Sequence, residues 1–159
     1  MMHKFIWKVI LTGTGIDRKY LMSKIAYNSD VPATSKILRK KIMINNSSDV
    51  YNIDLMLNDT DPDEINDSMV KTSAFTIIAV NITDKKTLDG CINIIKRLKR
   101  KNIYVIALGE DEKYRAEFYD DELKALNDTI SGYYIISLKY DIEPVLDSIV
   151  NNTISRMNI

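Results

Sequence analysis

Lys8-Val9-Ile10-Leu11-Thr12-Gly13-Thr14-Gly15-Ile16-Asp17-Arg18-Lys19-Tyr20 is the stretch that decides the fold. An apolar strand runs into a glycine turn, and the turn runs into a helix. A loop that cradles phosphate follows the pattern Gly-x-x-x-x-Gly-Lys-Ser/Thr, in which glycines admit close approach and the hydroxyl meets Mg²⁺. Gly13 and Lys19 stand at the required spacing, but Arg18 replaces the second glycine and Tyr20 replaces the hydroxyl residue. The segment predicts the scaffold of a nucleotide-binding protein with its chemistry altered.

Outward from this stretch, strands and helices alternate. Strands are predicted over Phe5 to Leu11, Ile37 to Ile44, Tyr51 to Leu57, Ala74 to Val80, Ile103 to Leu108 and Tyr133 to Ser137. The polar run Asn45 to Asp49 joins the second and third as a hairpin. Ala74 to Val80 is nearly all apolar, as suits a central strand buried on both faces. Helices are predicted from Lys19 to Asn28 with Leu21 and Ile25 inward, and from a Thr83-Asp84 cap to about Arg100. The second of these turns Leu88, Ile92, Ile95 and Leu98 inward. A short helix follows Asp120 or Asp121 through Leu126, and Ile142 to Met157 closes the chain with Val145, Ile149 and Thr153 inward. This order implies an α/β fold of three layers: a mostly parallel six-stranded sheet with one antiparallel hairpin and helices on both faces.

The 159 residues suit one domain, 1–159, with a core of its own and no linker or repeat. Lysine plus arginine balances aspartate plus glutamate at 22 each, so no global field points to nucleic acid or an anionic membrane. A lone cysteine, Cys91, makes no internal disulfide and reads as a core residue, which suits a reducing cytoplasmic or nuclear setting. The Met1 to Lys8 start carries no secretion signal, and the Ser155 to Ile159 tail carries no lipid-accepting cysteine. No membrane insertion or lipid anchor is expected. His3 is the single histidine, placed near a fraying end, so no Ser-His-Asp or Cys-His arrangement can be built around it.

The order of elements resembles that of the Ras-like small GTPases, and further segments carry the likeness. Asn58-Asp59-Thr60-Asp61-Pro62-Asp63-Glu64 resembles the Trp-Asp-Thr-Ala-Gly-Gln-Glu of Ras and Rab proteins. Ala79 to Asp84 resembles their Val-Tyr-Asp-Ile-Thr-Asp, and Ser137-Leu138-Lys139 resembles the Ser-Ala-Lys loop that backs guanine. The resemblance implies a P-loop, Ras-like G-domain fold. If nucleotide binding survives, it implies Gly13, Gly15, Lys19, Ser137 and Lys139 around GTP or ATP, with Asp59 and Thr34 at Mg²⁺.

The departures are as informative as the matches. Arg18 crowds the tight turn, and Tyr20 is too bulky for a small hydroxyl's place. Pro62 lacks the N–H that would sense a γ-phosphate, and Asp63 stands for the glutamine that orients water. The plain reading of Asp59 to Glu64 is a solvated acidic loop. Glu110-Asp111-Glu112-Lys113 replaces Asn-Lys-x-Asp, which puts a donor-only lysine where guanine needs an acceptor. A two-component receiver is a poorer fit, because Thr12-Gly13 stands where its first acidic pair belongs. The basic run Lys96 to Lys101 reads as a solvated, locally balanced surface or as a docking patch for an acidic partner or nucleic acid.

The expectation is therefore a degenerate, non-catalytic small-GTPase-like domain without cofactor, acting as a scaffold or subunit that binds protein partners. Kinetochore subunits of the CENP-M kind exemplify this logic. The alternative is an atypical nucleotide-binding switch with altered base specificity. Nucleic acid is not an expected partner, and the sequence leaves the oligomeric state open.

Overall fold

A computed structural model describes residues 1–157 of the chain. The tail reading above extends to Asn158 and Ile159, which lie outside the described residues. Six strands form one sheet: β1 (Met2–Thr12), β2 (Ile37–Asn46), β3 (Asp49–Asp59), β4 (Phe75–Asn81), β5 (Ile103–Leu108) and β6 (Gly132–Ile135). Their spatial order is β2-β3-β1-β4-β5-β6, and every pairing is parallel except β2 with β3. The antiparallel pair closes through Ser47 and Ser48 between Asn46 and Asp49, with Ser47 in the left-handed region at φ 53°. A two-residue hairpin turn calls for that conformation.

The helices are α1 (Asp17–Tyr27), α2 (Asp67–Thr72), α3 (Lys85–Leu98), α4 (Asp120–Lys124) and α5 (Glu143–Arg156). Burial divides into two halves, one per face of the sheet. On one side Leu21, Met22 and Ile25 of α1 and Leu146, Ile149, Val150 and Ile154 of α5 pack on Val9, Leu11, Leu55 and Phe75. On the other, Val70 of α2, Leu88, Cys91, Ile94 and Leu98 of α3 and Leu123 of α4 pack on Ile10, Ile78 and Val105. Strands β4 and β5 lie beneath helices on both faces, which is why their sequences are nearly unbroken apolar runs.

Several expectations change at this level. β1 begins at Met2, three residues early, because its parallel register with β3 starts at Met2 opposite Val50. His3 is consequently part of a strand and not of a frayed end. Its Nε2 lies 3.2 Å from Asp49 Oδ1, and its ring stacks on Tyr51 at 4.7 Å between centroids. The six-residue α2 was not legible, since it is shorter than two helical turns; Asn66 caps it by accepting from the Met69 N–H. A 3₁₀ helix, Glu110–Arg115, was missed for the same reason. The buried stripe of α3 is rotated so that Cys91 and Ile94 are fully inside while Ile92 is half-buried. Burial pushes the Cys91 thiol up to about 12, so it stays protonated as an inert core group.

Candidate functional site

The turn between β1 and α1 lies against β4. Gly13 adopts φ 137°, and a Cβ there would meet the Ala79 carbonyl oxygen at 2.4 Å, so this position admits only glycine. Gly15 also has positive φ, 82°, but an added Cβ would meet only the Asp17 carboxylate, in ordinary contact at 3.9 Å. Gly90 of α3 leaves room for the Thr14 side chain, whose Cγ2 would lie 2.5 Å from an added Cβ. The loop thus sits tightly between β4 and α3.

At the start of α1, Arg18 and Lys19 both turn to the end of β3. Arg18 Nε donates to Asp59 Oδ1 at 2.5 Å and Nη1 donates to the Gly13 carbonyl at 2.8 Å. Lys19 Nζ donates to the other carboxylate oxygen of Asp59 at 2.9 Å. Asp59 has only 5 % of its side chain exposed and Arg18 only 13 %, so this pair is largely withdrawn from water, whereas Lys19 remains 40 % exposed. Burial works to raise the Asp59 pKa, but the hydrogen bonds and charges of Lys19 and Arg18 outweigh it. The carboxyl is held below its ordinary range.

Beyond β3 the acidic side chains of Asp61, Asp63 and Glu64 are exposed, as expected of a solvated loop, while Asp59 is held inside and the backbone is tied down at several points. The Thr60 N–H donates to the Leu11 carbonyl at 2.8 Å, and Asp61 lies 3.9 Å from Arg18 Nη2. Arg97 Nη2 donates to the Pro62 carbonyl at 2.6 Å and reaches that of Ile65 at 3.4 Å. Arg100 makes two 2.7 Å hydrogen bonds to the Asp67 carboxylate. Two cations of the basic run Lys96 to Lys101 are therefore engaged inside the molecule.

A second cluster forms beside the first. A hollow of about 330 Å³ is lined by Asp17, Tyr20, Asp30, Asn81, Gly109, Asp111, Glu112, Ser137 and Lys139. Asn81 Nδ2 donates to Asp17 Oδ1 at 3.0 Å, linking the end of β4 to the start of α1. Ser137 and Lys139 converge on Asp111, with Lys139 Nζ 3.3 Å from Asp111 Oδ2. Burial raises the Asp111 pKa, but hydrogen bonds from Ser137, Lys139 and its own N–H together leave it lowered. Lys113 does not line this hollow; it is exposed and 4.0 Å from Glu110, while Asp111 borders the hollow. The 3₁₀ turn after Gly109, itself at φ 100°, sets that phase.

The structure thus gathers the candidate residues into two groups, Gly13 and Lys19 with Asp59, and Ser137 with Lys139. Thr34 is exposed in the segment between α1 and β2, and among the described contacts it shares none with Asp59. Sequence reasoning missed Arg18 as the partner of Asp59, having treated it only as a lost glycine. A basic residue near one strand end and a lone acid ending the neighbouring strand was the available signal. Asp111 was missed because the register of a 3₁₀ turn has no sequence signature of its own. Among the described residues, no three His, Cys, Asp or Glu side chains are grouped to hold a metal ion. No helix among them is long and apolar enough to cross a membrane. No protein-family model and no curated protein matches the chain.

Proposed function

We propose that this chain is a degenerate Ras-like domain that serves as a protein-binding scaffold or subunit, without nucleotide and without catalysis. The observation that carries the reading is the triad of Arg18, Lys19 and Asp59. The cation that would meet phosphate and the carboxylate that would meet Mg²⁺ are bonded to each other, and Arg18 also takes the Gly13 carbonyl. A magnesium–phosphate group does not fit these residues. It would have to part the contacts of Arg18 and Lys19 with Asp59 before making contacts of its own.

Two further features favour the reading. The loop from Thr60 to Asp67 is pinned by Arg97 and Arg100, so it resembles a fixed strut more than a switch that phosphate would reorder. The second hollow brings four carboxylates, Asp17, Asp30, Asp111 and Glu112, against one ammonium already held by Asp111. That charge balance opposes a polyanion. The six-stranded sheet with one antiparallel pair agrees with the fold that the resemblance implies.

One observation favours an atypical nucleotide binder instead: Asp111, an acceptor held by Ser137 and Lys139, lines the second hollow, so an acceptor is available there although Lys113 takes the family aspartate's place in the sequence. Nucleotide release and titration separate the two readings. Denatured protein is expected to yield no stoichiometric nucleotide, and GTP or ATP with Mg²⁺ is expected to give no heat up to millimolar concentration. Co-purified nucleotide or micromolar binding would overturn the scaffold reading and favour the binder.

A further inference from the structure

The two faces of the sheet are not equally covered. On the side of α1 and α5, strands β1, β3 and β2 turn Val9, Leu55, Leu57, Ile42 and Ile44 into the core. On the opposite side, helices cover β4, β5 and only the end of β1. Ile10 is fully buried there, whereas Ile6, two pleat repeats further back on the same face, is 68 % exposed. The remaining face of β1, β3 and β2 has no helix over it.

Cross-strand register places the residues of that bare face in rows. Lys4 lies beside Asn52 and Asn52 beside Met43; Ile6 lies beside Asp54 and Asp54 beside Lys41; Lys8 lies beside Met56 and Met56 beside Arg39. The first two rows border a hollow of about 660 Å³. Its apolar parts, Ile6 and Met43, are among the more exposed large apolar side chains of the protein, at 68 % and 59 %. Around them stand four cations and one carboxylate. Asp54 is paired with Arg39 at 3.1 Å, and among the described ion pairs Lys4, Lys8 and Lys41 have no partner. In a chain whose formal charge is zero, this face is a local surplus of three positive charges about an apolar centre.

We propose that this face docks an acidic amphipathic helix of a protein partner. Three strands spaced by about 4.8 Å make a bed roughly 10 Å across, the width of one α-helix. Apolar side chains of such a helix would cover Ile6 and Met43. Carboxylates along its flanks would meet Lys4 and Lys8 on one side and Lys41 on the other. A basic or neutral helix would leave those ammonium groups facing like charge or desolvated without a partner. The proposal rests on the protein-binding reading above and specifies where and what the domain binds.

The test uses the full chain and a labelled helical peptide of about 18 residues, with leucines on one face and glutamates on its flanks. Anisotropy titration is expected to show binding that weakens with salt, and about tenfold weaker binding to the K4E/K41E double variant. Ile6→Ser is expected to weaken it as well, while K96E/K99E on α3 is expected to leave it unchanged. No binding overturns the proposal, as does equal binding of a peptide with lysines in place of the glutamates. Binding to phosphatidylserine vesicles but not to the peptide, or self-association abolished by Ile6→Ser, would also overturn it by naming another occupant. None of these results depends on nucleotide, so failure here leaves the nucleotide titration to judge the scaffold reading separately.

Discussion

Arg18 shows how one residue can change the meaning of its neighbours. In the sequence it is a missing glycine. In the structure its guanidinium reaches Asp59 and the Gly13 carbonyl and converts three separate polar groups into one closed set. The ion set carries a pH signature whose sign follows from the direction of the Asp59 shift. Its folded pKa lies below the ordinary 3.8, so its contribution is fully present above that value and is lost as pH falls through the folded one. Urea midpoints of the wild type and Asp59→Asn should therefore differ by a constant amount from neutral pH down to about pH 5. The gap should then narrow below 3.8. A gap that widened on acidification would refute the triad.

At the scale of elements, the β1–α1 turn is held by close backbone approach to β4, and its two glycines are not equivalent. Gly13→Ala must place a Cβ 2.4 Å from a backbone oxygen at an unfavourable φ, whereas Gly15→Ala meets only the Asp17 carboxylate at 3.9 Å. Thermal or urea unfolding is expected to show a loss of about 3 kcal/mol for the first and about 1 kcal/mol for the second. Equal losses would mean that the turn does not press on Ala79. The helices follow the same principle of tertiary context. α2 is too short to be specified by periodicity, yet Asn66 caps it, Arg100 binds its first acid, and Val70 buries into the core.

For the whole molecule, the sheet is the organiser, and Phe75 near its centre tests the packing on the α1 and α5 side. It is 1 % exposed and meets Tyr104 edge-on at 6.0 Å between ring centroids. Phe75→Ala should lower unfolding stability by about 3–5 kcal/mol without altering peptide capture on the opposite face. A loss below 1 kcal/mol would show that the core collapses around the gap. The larger asymmetry is that one sheet face is closed by helices and the other is bare over β1, β3 and β2. That asymmetry is a property of the assembled layers, and no single strand displays it.

The sequence by itself determined the elements whose signals are local and strong. Apolar runs at Ala74 to Val80 and Ile103 to Leu108 fixed the central strands, and the Asn45 to Asp49 turn fixed the hairpin. Through the resemblance it also singled out Gly13, Lys19, Asp59, Ser137 and Lys139, which the structure divides between two neighbouring groups. Tertiary structure alone decided which polar groups meet. Whether Arg18 points to water or to Asp59, and whether Asp111 or Lys113 faces the second hollow, depends on positions set by residues some twenty to forty places away. Strand character follows from short-range patterning of apolar side chains. The pairing of charges follows from how the strand ends and helix starts are stacked, and that stacking is fixed only when the whole sheet closes on its core.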